Sequence, residues 1–150
     1  MNQLYSENPR VDRAQNDTIA AIATASAAAG IGIVRISGPD AIGICEKYYE
    51  NAKGIHDLKE HASNTISYGF IIDDEGNRMD EVMVSIFRAP HSYTTEDTVE
   101  INSHGGRYLL DRILELVLRG GAVSRSPVNS QSGPSWEAGS TCPGRRRSWT

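Results

Sequence analysis

The stretch 97-DTVEINSHGGRYLLDRILELVLRGG-121 contains both halves of an α+β fold. Residues 97–103 are short and contain Thr, Val and Ile, which reads as a strand. After His104-Gly105-Gly106 the hydrophobic period changes. Leu109, Ile113 and Leu116, with Leu110, Leu114 and Val117, fall on one broad apolar stripe of a helix over 107–119, and Gly120 and Gly121 can cap its end. Working outward, 17-DTIAAIAT-24 and 31-IGIVRI-36 read as strands on either side of the small-residue stretch 25-ASAAAG-30. The segment 37-SGPDAIGICEKYYEN-51 reads as a helix, with Ser37 as a possible N-cap, Pro39 early, and Ala41, Cys45 and Tyr48 on one face. The runs 65-TISYGFII-72 and 81-EVMVSIFRA-89 flank 73-DDEGNRMD-80, whose Asp, Gly and Asn residues supply turn chemistry for a loop or hairpin. Strands and helices mixed without a βαβ rhythm predict an α+β domain: a mixed or antiparallel sheet with two main helices.

A chain of 150 residues, 39% hydrophobic and 23% charged, suits one soluble domain with a sizeable core. The net charge of −4 argues against nucleic acid as the sole ligand of this segment. No apolar run approaches the roughly 18 residues of a membrane span, and the N-terminal residues lack the apolar stretch of a signal peptide. A cytoplasmic protein with no membrane partner is expected. The two cysteines, Cys45 and Cys142, have neither metal-ligand nor CxxC spacing, and Cys45 reads as a buried structural thiol.

Three places can carry chemistry. Arg35 stands inside the otherwise apolar 31–36 strand, near Gly30, Gly32 and Gly38, and a buried arginine needs a carboxylate or phosphate. It is a candidate anion clamp, or an edge-strand side chain reaching solvent. The glycines match neither the dinucleotide fingerprint nor the P-loop. In 92-SYTTEDTVEINSHGG-106, Glu96, Asp97 and Glu100 lie near Ser92, Ser103 and His104. Neighbouring strand positions cannot converge as a triad, and no nucleophile elbow is present. Glu100 is better suited to accepting two parallel hydrogen bonds from a paired N–H edge such as an amino-pyrimidine or pterin ring. Third, the His-Gly-Gly at the helix entry either lets an anion approach free N–H groups or simply shapes a turn.

Together, "DTIAAIAT…GIGIVRISGPDAI", "SYTTEDTVEINSHGG" and "LLDRILELVLRGGA" resemble, in order and spacing, the N-terminal domain of the MnmE/TrmE family of tRNA-modification GTPases over roughly residues 17–122. The resemblance implies a folate-binding, dimerising domain whose fold is similar to the tetrahydrofolate-binding domain of glycine-cleavage aminomethyltransferase. It implies 5-formyltetrahydrofolate or a related one-carbon donor as cofactor, with Arg35 and Glu100 on folate-contacting positions. It also implies wobble-uridine modification of tRNA by the intact protein with a flavin-binding partner protein. GTP, Mg and K belong to a GTPase domain that follows in the family. These 150 residues contain no GxxxxGK[ST], so GTP hydrolysis is not expected of them alone. A ligand-free dimerisation domain and a stand-alone folate-dependent one-carbon transferase are the alternatives, the chain being short for the latter.

Two departures from the family pattern stand out. A Pro-Pro-Gly turn is replaced by "ASAAAG" before Gly30, giving a looser loop. After "RGGA" the family continues with a segment resembling "RLAEPGEFTKRAFL", whereas this chain has 123-VSRSPVNSQSGPSWEAGSTCPGRRRSWT-150. Codons permitted for that tail, read one base earlier, give "RLAEPGEFTKRAFL" and then "GGRIDLSRAEAVMD". The expected organisation is therefore a flexible extension at 1–16, the folate-binding domain at 17–122, and an out-of-frame, disordered tail at 123–150. The Arg145–Arg147 run is then a coding accident, and the family's third basic folate contact is lost.

Overall fold

The structure, a computed structural model, describes residues 17–24, 29–92 and 94–125. The expected N-terminal extension, Cys142, the Arg145–Arg147 run and the tail from 126 lie outside the described residues. The elements are β1 (Ile19–Ile22), β2 (Ile31–Ser37), α1 (Ala41–Lys47), β3 (Tyr49–Asn51), a 3-10 turn (Leu58–Glu60), β4 (Thr65–Ile72), β5 (Arg78–Phe87), β6 (Thr98–His104), α2 (Arg107–Arg119) and β7 (Val123–Ser124). The strands form one sheet in the order β3-β4-β5-β6-β2-β1-β7. All neighbours are antiparallel except β1 and β7, so the sheet is mixed and the class is α+β.

The sheet buries one face because its strands alternate in phase. Val34, Ile101 and Val84 are partners in one row and Ile36, Val99 and Ile86 in the next, all fully buried. Burying each such side chain contributes roughly 1.5–3 kcal/mol relative to leaving it exposed. Helix α2 lays Leu110, Ile113, Leu116 and Val117 into the same core. It can come close because Gly32 has no side chain: a Cβ there would meet Leu110 Cδ1 at 2.5 Å. The helix ends as its two glycines predict. The N–H of Ala122 donates to Val117 O, that of Gly121 to Leu118 O, and Gly121 takes φ 120°, which together form a Schellman stop.

The first helix is shorter than its sequence predicts. Ser37 closes β2 instead of capping α1, and Gly38 turns the chain at φ 136°. The N-cap residue of α1, Asp40, is tied to Thr18, the residue before β1, by its N–H donating to Thr18 Oγ1. At the other end Tyr49–Asn51 leave the helix and pair with β4. Tyr49 is fully buried, with its hydroxyl 2.6 Å from Ser67 Oγ, and its ring covers Gly69, where a Cβ would lie 2.5 Å from Tyr49 Cε2. This tertiary pocket outweighs helix propensity.

The hairpin over 73–77 forms as predicted. Asp73 Oδ1 accepts the N–H groups of Glu75 and Asn77, and Gly76 supplies φ 85°. Strand β5 starts at Arg78, three residues before the expected 81. Val123 and Ser124, placed by sequence in the tail, pair parallel to β1 through Val123 N–H to Thr18 O and Arg125 N–H to Ala20 O. Among the described residues, no helix is long and apolar enough to cross a membrane.

Candidate functional site

The open face of the sheet carries the remaining chemistry. In-phase alternation puts Arg35, Glu100, Ser85 and Ile66 in one outer row, and Ile33, Asn102, Met83 and Tyr68 in the next. Arg35 and Glu100, 65 positions apart in sequence, are direct partners across β2 and β6. Arg35 Nε donates to Glu100 Oε1 at 3.0 Å and Nη2 donates to the same oxygen at 2.5 Å. No described residue hydrogen-bonds Glu100 Oε2 or Arg35 Nη1. The arginine side chain is 47% exposed and the glutamate 21%, so water screens the pair, which contributes at most about 1 kcal/mol to stability.

Around this pair the chain builds a pocket of about 370 Å³, lined by Arg35, Asn64, Phe87, His91, Thr94, Thr98 and Glu100. Its rim is tied down from both sides. Arg88 donates through Nη2 to the carbonyls of Lys59 and His61, its N–H donates to Ser63 Oγ, and Asn64 N–H donates to Ile86 O. Asn64 is held there with φ 61°, a conformation that asparagine tolerates better than most residues. Across the pocket, Ala89 N–H donates to Asp97 Oδ1, and Ser92 Oγ donates to Glu96 O. Ser37 Oγ donates to Glu96 Oε2, with Thr94 and Thr98 hydroxyls 3.4 Å away. Phe87 and Thr98 face each other across β5 and β6, giving the pocket one aromatic wall and a hydroxyl-rich side.

The structure brings Arg35 and Glu100 together and separates the other sequence candidates. Ser103 is turned into the core with only 4% exposure, and its hydroxyl donates to His104 O. His104 pairs instead with Asp80, Nδ1 to Oδ1 at 2.8 Å, on the outer face. Ser103, His104 and Glu100 therefore form no triad. Glu96 and Asp97 are occupied in loop hydrogen bonds. Within the His-Gly-Gly segment, Gly105 is required by close packing, since a Cβ there would sit 1.7 Å from Ala29 O, whereas one at Gly106 would meet only Leu109 Cβ at 4.0 Å. Asn64, Phe87, His91, Thr94 and Thr98 were missed as site residues. Phe87 and Thr98 share the outer phase of Glu100, which was the one sequence signal available for them.

The fold and site define a class: an α+β domain with one sheet face buried under two helices, and an ion-paired, ligand-sized pocket on the other. Residues 18–127 match the family model described as GTP-binding protein TrmE N-terminus. The chain belongs to that family. It is 56% identical over 108 residues to the tRNA modification GTPase MnmE of Alkaliphilus metalliredigens, covering 71% of this chain and 23% of that protein. It is 52% identical over 113 residues to the same-named protein of Moorella thermoacetica, covering 75% and 24%. With the Staphylococcus haemolyticus protein the identity is 46% over 112 residues, covering 74% and 24%. The chain spans about a quarter of the length of the curated relatives it matches.

Proposed function

We propose that this chain is the folate-binding and dimerising part of a tRNA-modification GTPase, with 5-formyltetrahydrofolate or a related tetrahydrofolate as ligand of the Arg35–Glu100 pocket. The observation that carries the reading is the register that sets Arg35 opposite Glu100 in a pocket of about 370 Å³ beside Phe87. That volume suits a bicyclic ring, Phe87 offers it a face, and the ion pair offers polar groups for its edge. The same sheet face exposes Ile31 (64%), Ile66 (63%), Tyr68 (50%) and Met83 (51%). Large apolar side chains collected on one face are the pattern of an association surface, and a second copy of this chain is the proposed occupant. Cytoplasmic location, tRNA, a flavin-binding partner protein, and GTP with Mg and K belong to this proposal through the family's intact protein.

Thermal unfolding with and without 5-formyltetrahydrofolate tests it. Ligand at 100 times its Kd should add about 2.7 kcal/mol of stability. Sedimentation at micromolar concentration should give the mass of two chains. Absence of any ligand stabilisation in a dimeric protein would favour the alternative of a purely structural dimerisation domain.

A further inference from the structure

We propose that the pairing of two copies is proton-linked through His104: each chain takes up a proton on that imidazole as the open faces come together. The inference rests on the association reading above and adds what regulates it. A groove of about 260 Å³ on the open face is lined by the exposed apolar side chains Ile31, Tyr68 and Met83 together with Glu81, Asn102 and His104. The charges on this face do not balance. Arg35 is paired with Glu100, and Arg78, stacked 4.0 Å over the Phe70 ring, is paired with Glu50. Asp80 gives both oxygens to His104, one accepting its backbone N–H at 3.0 Å and the other 2.8 Å from Nδ1. The Glu81 side chain lines the same groove, exposed and without a partner among the described residues. The groups facing the imidazole are thus two carboxylates on β5, the Tyr68 phenol on β4 and the uncharged Ile31 opposite it on β2, while Arg107, which opens α2, is held by Asp111. With a neutral imidazole, both carboxylates enter the interface with no cation between them, and taking uncompensated charge out of water is costly. An isologous contact brings the same excess together from both chains. With Nδ1 turned to Asp80, Nε2 is the nitrogen left to take a proton, and histidine changes charge within the physiological range. The His104 side chain is 71% exposed, so solvent protons reach it in the free chain. Proton uptake on association means, by linkage, that the dimer is strengthened as pH falls and weakened as pH rises.

Sedimentation equilibrium of the full chain at pH 6, 7 and 8, at one ionic strength, tests the link. The dissociation constant of the dimer should be about tenfold or more lower at pH 6 than at pH 8. His104→Gln keeps a donor toward Asp80 but cannot take up a proton, and it should hold the dissociation constant flat across that range at the weak, high-pH value. Glu81→Gln removes the unpaired carboxylate and should bring the pH 8 value toward the pH 6 one. Thermal unfolding unchanged from wild type shows that each variant keeps the fold. A wild-type dimer equally tight at all three pH values, or a His104→Gln protein with the full pH dependence, would overturn the proton link while leaving association in place. A chain that stays monomeric at every pH would overturn the association reading itself, and the link with it.

Discussion

Glu100 meets Arg35 with one oxygen only, so its two roles can be measured apart. In Glu100→Gln the amide oxygen can still accept from Arg35 while the amide nitrogen faces the ligand's N–H. Stability in urea should change by less than about 1 kcal/mol, because the pair is part-exposed. Folate affinity should fall by about 1–3 kcal/mol, since donor then meets donor. Equal affinity of both proteins in calorimetry would remove Glu100 from the site. Cys45 illustrates the opposite environment: it is fully buried, and burial, with Glu46 adding to it, pushes its thiol far above the ordinary cysteine value. The thiolate is the reactive form. In a Cys142→Ser protein, Cys45 should react with a disulfide reagent only at the rate of unfolding, and fast labelling of the native protein would contradict its buried position. The sequence marked Arg35 as a candidate anion clamp on the premise of a buried arginine, but the side chain lies on the open face and is 47% exposed, so it meets a carboxylate without needing one. Which carboxylate it meets is set by the β2–β6 register, a relation between positions far apart in the chain.

Helix α2 was legible in full because period, length and its Gly-Gly stop agree. The first helix was overextended because Tyr48, Tyr49 and Asn51 carry no local stop signal, and the pocket that captures Tyr49 is built by β4. The pocket lining was hidden for a similar reason: Asn64 and His91 reach it through loops whose course depends on Arg88 and Asp97. Elements held by glycine make the firmest predictions. Gly121→Ala puts a side chain at φ 120° and should lower unfolding free energy by about 1 kcal/mol. Gly105→Ala forces a Cβ against Ala29 O and should cost more than Gly121→Ala in the same denaturant titration. The 73–77 turn predicts a pH effect. Backbone N–H from Asn77, then the Asn77 side chain, hold the Asp73 carboxyl below its ordinary value. Its contribution is therefore complete above the ordinary aspartate range and is lost as pH falls through the lowered folded-state value. The stability gap between wild type and Asp73→Asn should accordingly be present at pH 7 and close under acid. A gap independent of pH would show that the carboxylate's charge plays no part.

For the molecule as a whole, a fluorescent GTP analogue should show no saturable binding at micromolar concentration, because these residues offer no phosphate loop with its cradle of backbone N–H groups and lysine. Saturation would require a nucleotide site of another kind. The expectation that residues after Ala122 are read in a shifted frame is checked by resequencing the DNA there: "RLAEPGEFTKRAFL" should appear after a one-base correction or, for a change in the gene itself, in the neighbouring frame, and DNA that spells it in neither would dismiss the expectation. β7 bears on what such a slip would do. Val123 and Ser124 are exposed, and the strand is held to β1 by amide and carbonyl groups that every residue except proline possesses in full. The closing hydrogen bonds of the sheet are thus indifferent to spelling. A coding error just past Ala122 could rewrite both letters of the last strand and still offer β1 the same backbone groups to bond.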